Sequence, residues 1–203
     1  LLALVPIFLA GAALAQAPKE KLVLALGDSL TAGYQLKPSE SFPAQLEASL
    51  RAQGLAVKVH NAGVSGDTTA QAKARLPWVL NSLKQKPDLA IVALGANDML
   101  RGQPPAQAKA NMDAILTELG KRGIPVILAG MLAAPNLGPA YAKEFNAIYP
   151  ALAKKHGATL HPFFTAGVTA NPKLLLADGM HPNRQGVAVM VKNIQPLVVK
   201  KLK

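Results

Sequence analysis

The chain has 203 residues, 50% of them hydrophobic and only 16% charged, which excludes a disordered polypeptide and leaves room for one ordinary α/β domain. It contains no cysteine, so its stability must come from packing rather than from disulfide bridges. The 22 Lys and Arg against 11 Asp and Glu give a net charge of +11, which draws the surface toward phosphates, anionic lipids or acidic polymers, while 4% aromatics excludes the stacking platforms of single-strand nucleic-acid binders.

Residues Leu1 to Leu14 carry no charge and run into the small-residue series Ala13-Leu14-Ala15-Gln16. This pattern predicts a secretory signal peptide over residues 1–15, incomplete at its N-terminus, and a single folded domain over 16–203 that is periplasmic or secreted. Without cysteine, a lipid anchor through a thioether is excluded.

The apolar run Leu22 to Leu26 predicts a buried strand that stops at Gly27-Asp28-Ser29. Pro43 just inside a helical pattern that ends at Gly54 marks the next helix, and Ala56 to His60 the next strand. The glycine-containing loop Asn61 to Thr69 follows, with Asp67 placed to cap a helix that should bend or stop at Pro77, and Trp78 placed in the core. Leu89 to Leu94 is a third strand, ending in Gly95-Ala96-Asn97-Asp98, and Met99 to Pro105 is expected as a loop. A helix over Ala106 to Leu119, a strand over Ile124 to Gly130, a helix over Ala140 to Lys155 kinked at Pro150, and a strand over Thr159 to Phe164 complete the alternation before a final helix from Arg184 to about Lys200. That rhythm predicts a three-layer α/β/α sandwich around a mostly parallel five-stranded sheet.

Taken alone, Gly27-Asp28-Ser29 is a turn in which Asp28 or Ser29 caps a helix. A hydrolytic serine needs a base, a group that fixes the base's tautomer, and donors for an oxyanion. Asp178 and His181 lie three residues apart in one loop, so a local turn can bring the carboxylate to the imidazole and leave the other ring nitrogen for Ser29. Donors available at strand ends are the Ser29 and Gly66 backbone N–H groups and the Asn97 amide. His60, His156 and His161 are scattered, without the spacing of a metal site, and no metal or organic cofactor is expected.

Gly27-Asp28-Ser29-Leu30, Ser65-Gly66-Asp67-Thr68, Gly95-x-Asn97-Asp98 and Asp178-x-x-His181-Pro182 resemble, in order, the four signature blocks of the SGNH, or GDSL, hydrolases. Asn61 to Thr69 and Ala74-Arg75-Leu76-Pro77 are similar to the exported bacterial branch of arylesterases, acyl thioesterases and lysophospholipases. The resemblance implies a flavodoxin-like fold, Ser29 as nucleophile, His181 as general acid and base, Asp178 as its orienter, and Ser29, Gly66 and Asn97 as the oxyanion hole. It also implies that Met99, Leu100, Arg101 and Met180 flank the substrate, with the apolar side chains suited to a hydrocarbon chain and Arg101 to an anionic head group. A serine esterase or thioesterase is therefore expected, a monomer acting on small or lipid acyl esters, with weak contact to an anionic membrane surface and no nucleic-acid partner. The other readings are a carbohydrate O-deacetylase of the same family and a basic envelope-binding module with a vestigial site.

Overall fold

The computed structural model describes residues 19–203; the expected signal peptide lies outside them. Five strands, β1 (Lys21–Gly27), β2 (Val57–Gly63), β3 (Leu89–Ala93), β4 (Val126–Ala129) and β5 (Thr159–His161), form one sheet in the order β2-β1-β3-β4-β5. Every pairing is parallel. This is the flavodoxin-like order, in which the chain reverses direction across the sheet between β1 and β3 and leaves a crevice at the strands' carboxyl ends.

The helices are α1 (Ser29–Ala32), α2 (Phe42–Arg51), α3 (Thr69–Ser82), α4 (Ala96–Leu100), α5 (Pro105–Lys121), α6 (Pro139–Asn146), α7 (Ile148–His156) and α8 (Arg184–Leu202). Helix α2 packs on α8, and α3 on α5, which in turn packs on α7, giving the two helical layers. Val23 to Leu26 of β1 are completely buried because both faces of the sheet are covered. Each such leucine contributes about 1.5–3 kcal/mol over an exposed one. On the edge strand β2, Val57 and Val59 are buried while Lys58 is exposed, the alternation of a strand with one free side.

Four local expectations are corrected. Helix α3 runs through Pro77 without stopping: Pro77 is exposed, so the carbonyl it cannot serve, on Lys73, lies on the solvent side where water can satisfy it. Trp78 is 74% exposed rather than part of the core; Leu76, Val79 and Leu80 form the buried stripe of α3, and position 78 falls on the other side of the helix. The helical stretch beyond residue 139 breaks at Ala147, not at Pro150. The break places Pro150 in the first turn of α7, where a missing N–H costs nothing. Finally, Met99 and Leu100 belong to the short helix α4 rather than to a loop.

The register aligns the site. Gly27 of β1 is opposite Gly63 of β2 and Ala93 of β3, so the loops after these three strands leave the sheet at one level.

Candidate active site

Ser29 opens α1 directly beyond β1, with Asp28 as the N-cap whose Oδ1 accepts the Leu30 N–H at 3.0 Å. Its Oγ lies 2.9 Å from His181 Nε2, and His181 Nδ1 lies 2.6 Å from Asp178 Oδ2. The other Asp178 oxygen accepts the backbone N–H groups of Met180 and His181, both at 2.9 Å. These amide bonds, together with the imidazole, pull the Asp178 carboxyl down to about 2. An ionised Asp178 keeps the proton on Nδ1, which leaves Nε2 bare and able to accept the Ser29 hydroxyl proton.

The His181 loop is held at both ends. Leu176 N–H donates to the His181 carbonyl (2.8 Å), and Asn183 N–H to that of Leu174 (2.9 Å). Asn183 also caps α8 by accepting from Gln185 and Gly186, while its Nδ2 donates to the carbonyls of Lys173 and Leu175.

Between β2 and α3 the chain makes a tight turn closed by Asp67 N–H donating to the Val64 carbonyl at 3.1 Å. Gly66 occupies its third position with φ +86°, which only glycine adopts without strain. Among the described residues its N–H donates to no protein acceptor, and neither does that of Ser29. Asn97 Nδ2 donates to the Asp67 carbonyl at 3.0 Å and has only a long contact, 3.4 Å, to Asp28 Oδ2. Gly95, which precedes α4 at φ +108°, admits no side chain, because a Cβ would collide with the Tyr149 hydroxyl that donates to the Leu94 carbonyl.

Two arginines, Arg75 and the expected substrate contact Arg101, instead tie these loops together. Arg75 on α3 donates through Nε to Asp67 Oδ2 (2.6 Å) and through Nη2 to the carbonyls of Gly27 (3.1 Å) and Ala62 (2.8 Å), joining the ends of β1 and β2 to the turn. Asp67 is thus a brace rather than a cap; the cap of α3 is Thr68, in a capping box with Gln71. Asp98 accepts from Thr69 N–H and hydroxyl at 2.8 and 2.6 Å. Arg101 Nη2 donates to the Gly66 carbonyl at 2.7 Å and does not line the cavity described next.

A cavity of about 600 Å³ opens at Ser29. Ser29, Gly66, Asn97 and His181 lie on its wall, together with the expected Met99, Leu100 and Met180. Sequence reasoning missed other apolar walls, notably Leu30 and Phe163, and the loop after β4 adds Met131 and Leu132. Tyr34 lies against the His181 ring, centroids 4.4 Å apart, and closes the near side.

The sequence profile of the GDSL-like lipase/acylhydrolase family matches residues 25–189. The chain belongs to that family of SGNH hydrolases. It is accordingly a carboxylic-ester hydrolase. Among curated SGNH-type relatives, it is 38% identical over 202 residues to an arylesterase of Vibrio mimicus, covering 100% of this chain and 98% of the relative. It is also 38% identical over 180 residues to thioesterase 1/protease 1/lysophospholipase L1 of Escherichia coli, covering 87% of this chain and 84% of the relative. The crystal structure of AlinE4, an SGNH-hydrolase family esterase, is 48% identical and superposes with a TM-score of 0.79, over 93% of this chain and 100% of that one.

Proposed function

We propose that the protein is an exported serine esterase and thioesterase of acyl chains, with Ser29 as nucleophile, His181 as general base and acid, and Asp178 as the group that orients His181. In acylation, Ser29 Oγ attacks the carbonyl carbon as its proton passes to His181 Nε2. The oxyanion takes hydrogen bonds from the Ser29 and Gly66 N–H groups and from the second hydrogen of Asn97 Nδ2. The intermediate collapses when His181 returns the proton to the leaving alcohol or thiol. Water then attacks the acyl-Ser29 ester, giving its proton to His181, and the fatty acid leaves with Ser29 and His181 restored.

The observation that carries the acyl preference is the wall of the cavity: Leu30, Met99, Leu100, Leu132, Phe163 and Met180 present hydrocarbon beside the Ser29 hydroxyl. Such a wall favours an acyl chain over the hydroxyl-rich ring of an acetylated sugar, because sugar hydroxyls would lose water there without gaining partners. The names of the relatives, an arylesterase and a thioesterase/lysophospholipase, agree with aryl esters, acyl thioesters and lysophospholipids as substrates. Export is supported by the uncharged segment Leu1 to Leu14, and residues 16–203 then form the hydrolase domain.

Chromogenic esters of graded chain length, given to the parent and to Ser29→Ala, provide the test. The parent turns over and favours chains longer than acetyl, while Ser29→Ala loses at least about a thousandfold in kcat. Full activity in Ser29→Ala, or a strict acetyl preference, overturns the reading.

A further inference from the structure

Each of the five strands is followed by a connection that bears one exposed large apolar side chain. These are Tyr34 after β1, Val64 after β2, Leu100 after β3, Leu132 after β4 and Met180 after β5. Among the described residues the only other exposed large hydrophobic is Trp78 on α3. Four of the five line the cavity, and Val64 directly precedes the lining residues Ser65 and Gly66. Exposed apolar side chains scattered singly need no explanation, but a set gathered around one opening marks an interaction surface.

The same connections, with the first residue of α8, carry the exposed cations Lys37, Arg101, Lys173 and Arg184. None of the four pairs with a carboxylate among the described residues. The mouth thus combines hydrocarbon with four exposed cations outside any ion pair, while the carboxylates on the same connections, Glu40 and Asp178, are bonded to the Lys37 N–H and to the His181 loop. A second copy of a chain with net charge +11 is repelled by that face. A folded protein partner would seal the route to Ser29. A lipid surface does neither: it accepts apolar side chains at its headgroup boundary, attracts cations when anionic, and presents acyl chains at the opening.

We propose that the mouth of the cavity docks on an anionic lipid surface, with Tyr34, Val64, Leu100, Leu132 and Met180 entering the headgroup boundary and Lys37, Lys173 and Arg184 meeting anionic headgroups, so that Ser29 receives acyl chains directly from the surface. This inference rests on the reading of the site as that of an acyl-ester hydrolase. It also assigns no docking role to the lysines of the C-terminal tail. Helix α8 starts beside the mouth at Arg184, and the 1.5 Å rise per residue carries Lys200 and Lys201 about 24–26 Å away from it.

The test is sedimentation with vesicles of phosphatidylcholine, alone or mixed with phosphatidylglycerol, using the exported form, residues 16–203, with Ser29→Ala so that no lipid is consumed and the apolar leader cannot itself bind. The protein should bind the mixed vesicles and be released by high salt. Adding Lys37→Glu, Lys173→Glu and Arg184→Glu should weaken that binding at least about tenfold. Adding Leu132→Asp instead should also weaken binding to the mixed vesicles. Trp78→Ala and the pair Lys200→Glu/Lys201→Glu should change nothing. Thermal melting of each variant verifies that it is folded.

No binding, binding indifferent to the mouth substitutions, or binding lost with the tail pair overturns docking at the mouth. A monomeric short-chain ester, assayed without lipid, reads the chemistry separately. The triple charge variant in the Ser29 background should hydrolyse it like the parent, since none of its three positions lines the cavity. Loss of docking with that hydrolysis intact refutes only this inference, and absence of hydrolysis in the parent refutes the esterase reading itself.

Discussion

Asp28 is strongly altered by its surroundings. Completely enclosed behind Ser29, it is pushed up to about 7 by burial, against the opposing pull of the Leu30 amide and of His181. The unfolded chain ionises this carboxyl near 3.8, so between pH 3.8 and about 7 the native state holds a proton that the unfolded state has released. Stability from this group therefore falls as pH rises through that window, and the penalty is complete above it. A shift of this size corresponds to ~4 kcal/mol. Asp28→Asn keeps an oxygen for the Leu30 amide but cannot ionise. Its stability relative to the parent, measured from urea unfolding midpoints, should be near zero at pH 3.5 and should grow to a clear gain at pH 8. A difference that does not change with pH would show that Asp28 titrates normally. A carboxyl directly before the serine is plain in the sequence, whereas its complete burial is a product of the fold and is not.

At the scale of elements, the continuous aliphatic runs made the strands legible, since a strand covered on both faces has no polar side to keep. Gly27-Asp28-Ser29, Gly66, Asn97 and the Asp178–His181 pair were equally legible, because each stands in a short polar motif, and Gly66 at φ +86° fills a turn position that few residue types allow. Of the cavity wall only Met99, Leu100 and Met180 were legible, because Leu30, Leu132 and Phe163 become their neighbours only when loops from different strands converge. Trp78 was misplaced for a different reason. Apolarity does not decide burial on a helix, and the spacing of Leu76, Val79 and Leu80 puts residue 78 on the outer side of α3. A core tryptophan cut to alanine costs about 3–5 kcal/mol, while a surface change away from special features stays within about 0.5 kcal/mol. Trp78→Ala should therefore leave the thermal midpoint almost unmoved in dilute buffer. A fall of ten degrees would mean that the indole is packed in solution.

At the scale of the whole molecule, the net charge of +11 opposes the compact state, because unfolding moves like charges apart. The ion pairs act in the other direction but over short distances, from 2.6 Å for Arg75–Asp67 to 3.4 Å for Lys58–Glu47. Salt separates these two contributions by range. A chain of this length has a radius of gyration of roughly 17 Å, so at 0.01 M salt, with a Debye length near 30 Å, every charge senses the excess of the others. At 0.1 M that length shrinks to about 10 Å, which removes repulsion across the molecule and leaves contacts within a pair largely intact. Several of the pairs are exposed and contribute about 0–1 kcal/mol each, so their partial weakening cannot offset the relief of the long-range term. The melting temperature at pH 7 should rise between 0.01 and 0.1 M sodium chloride, each kcal/mol of relief appearing as about 2–4 °C. A melting temperature that falls over that range would mean that the ion pairs, and not the excess of Lys and Arg, set the electrostatic balance of the fold.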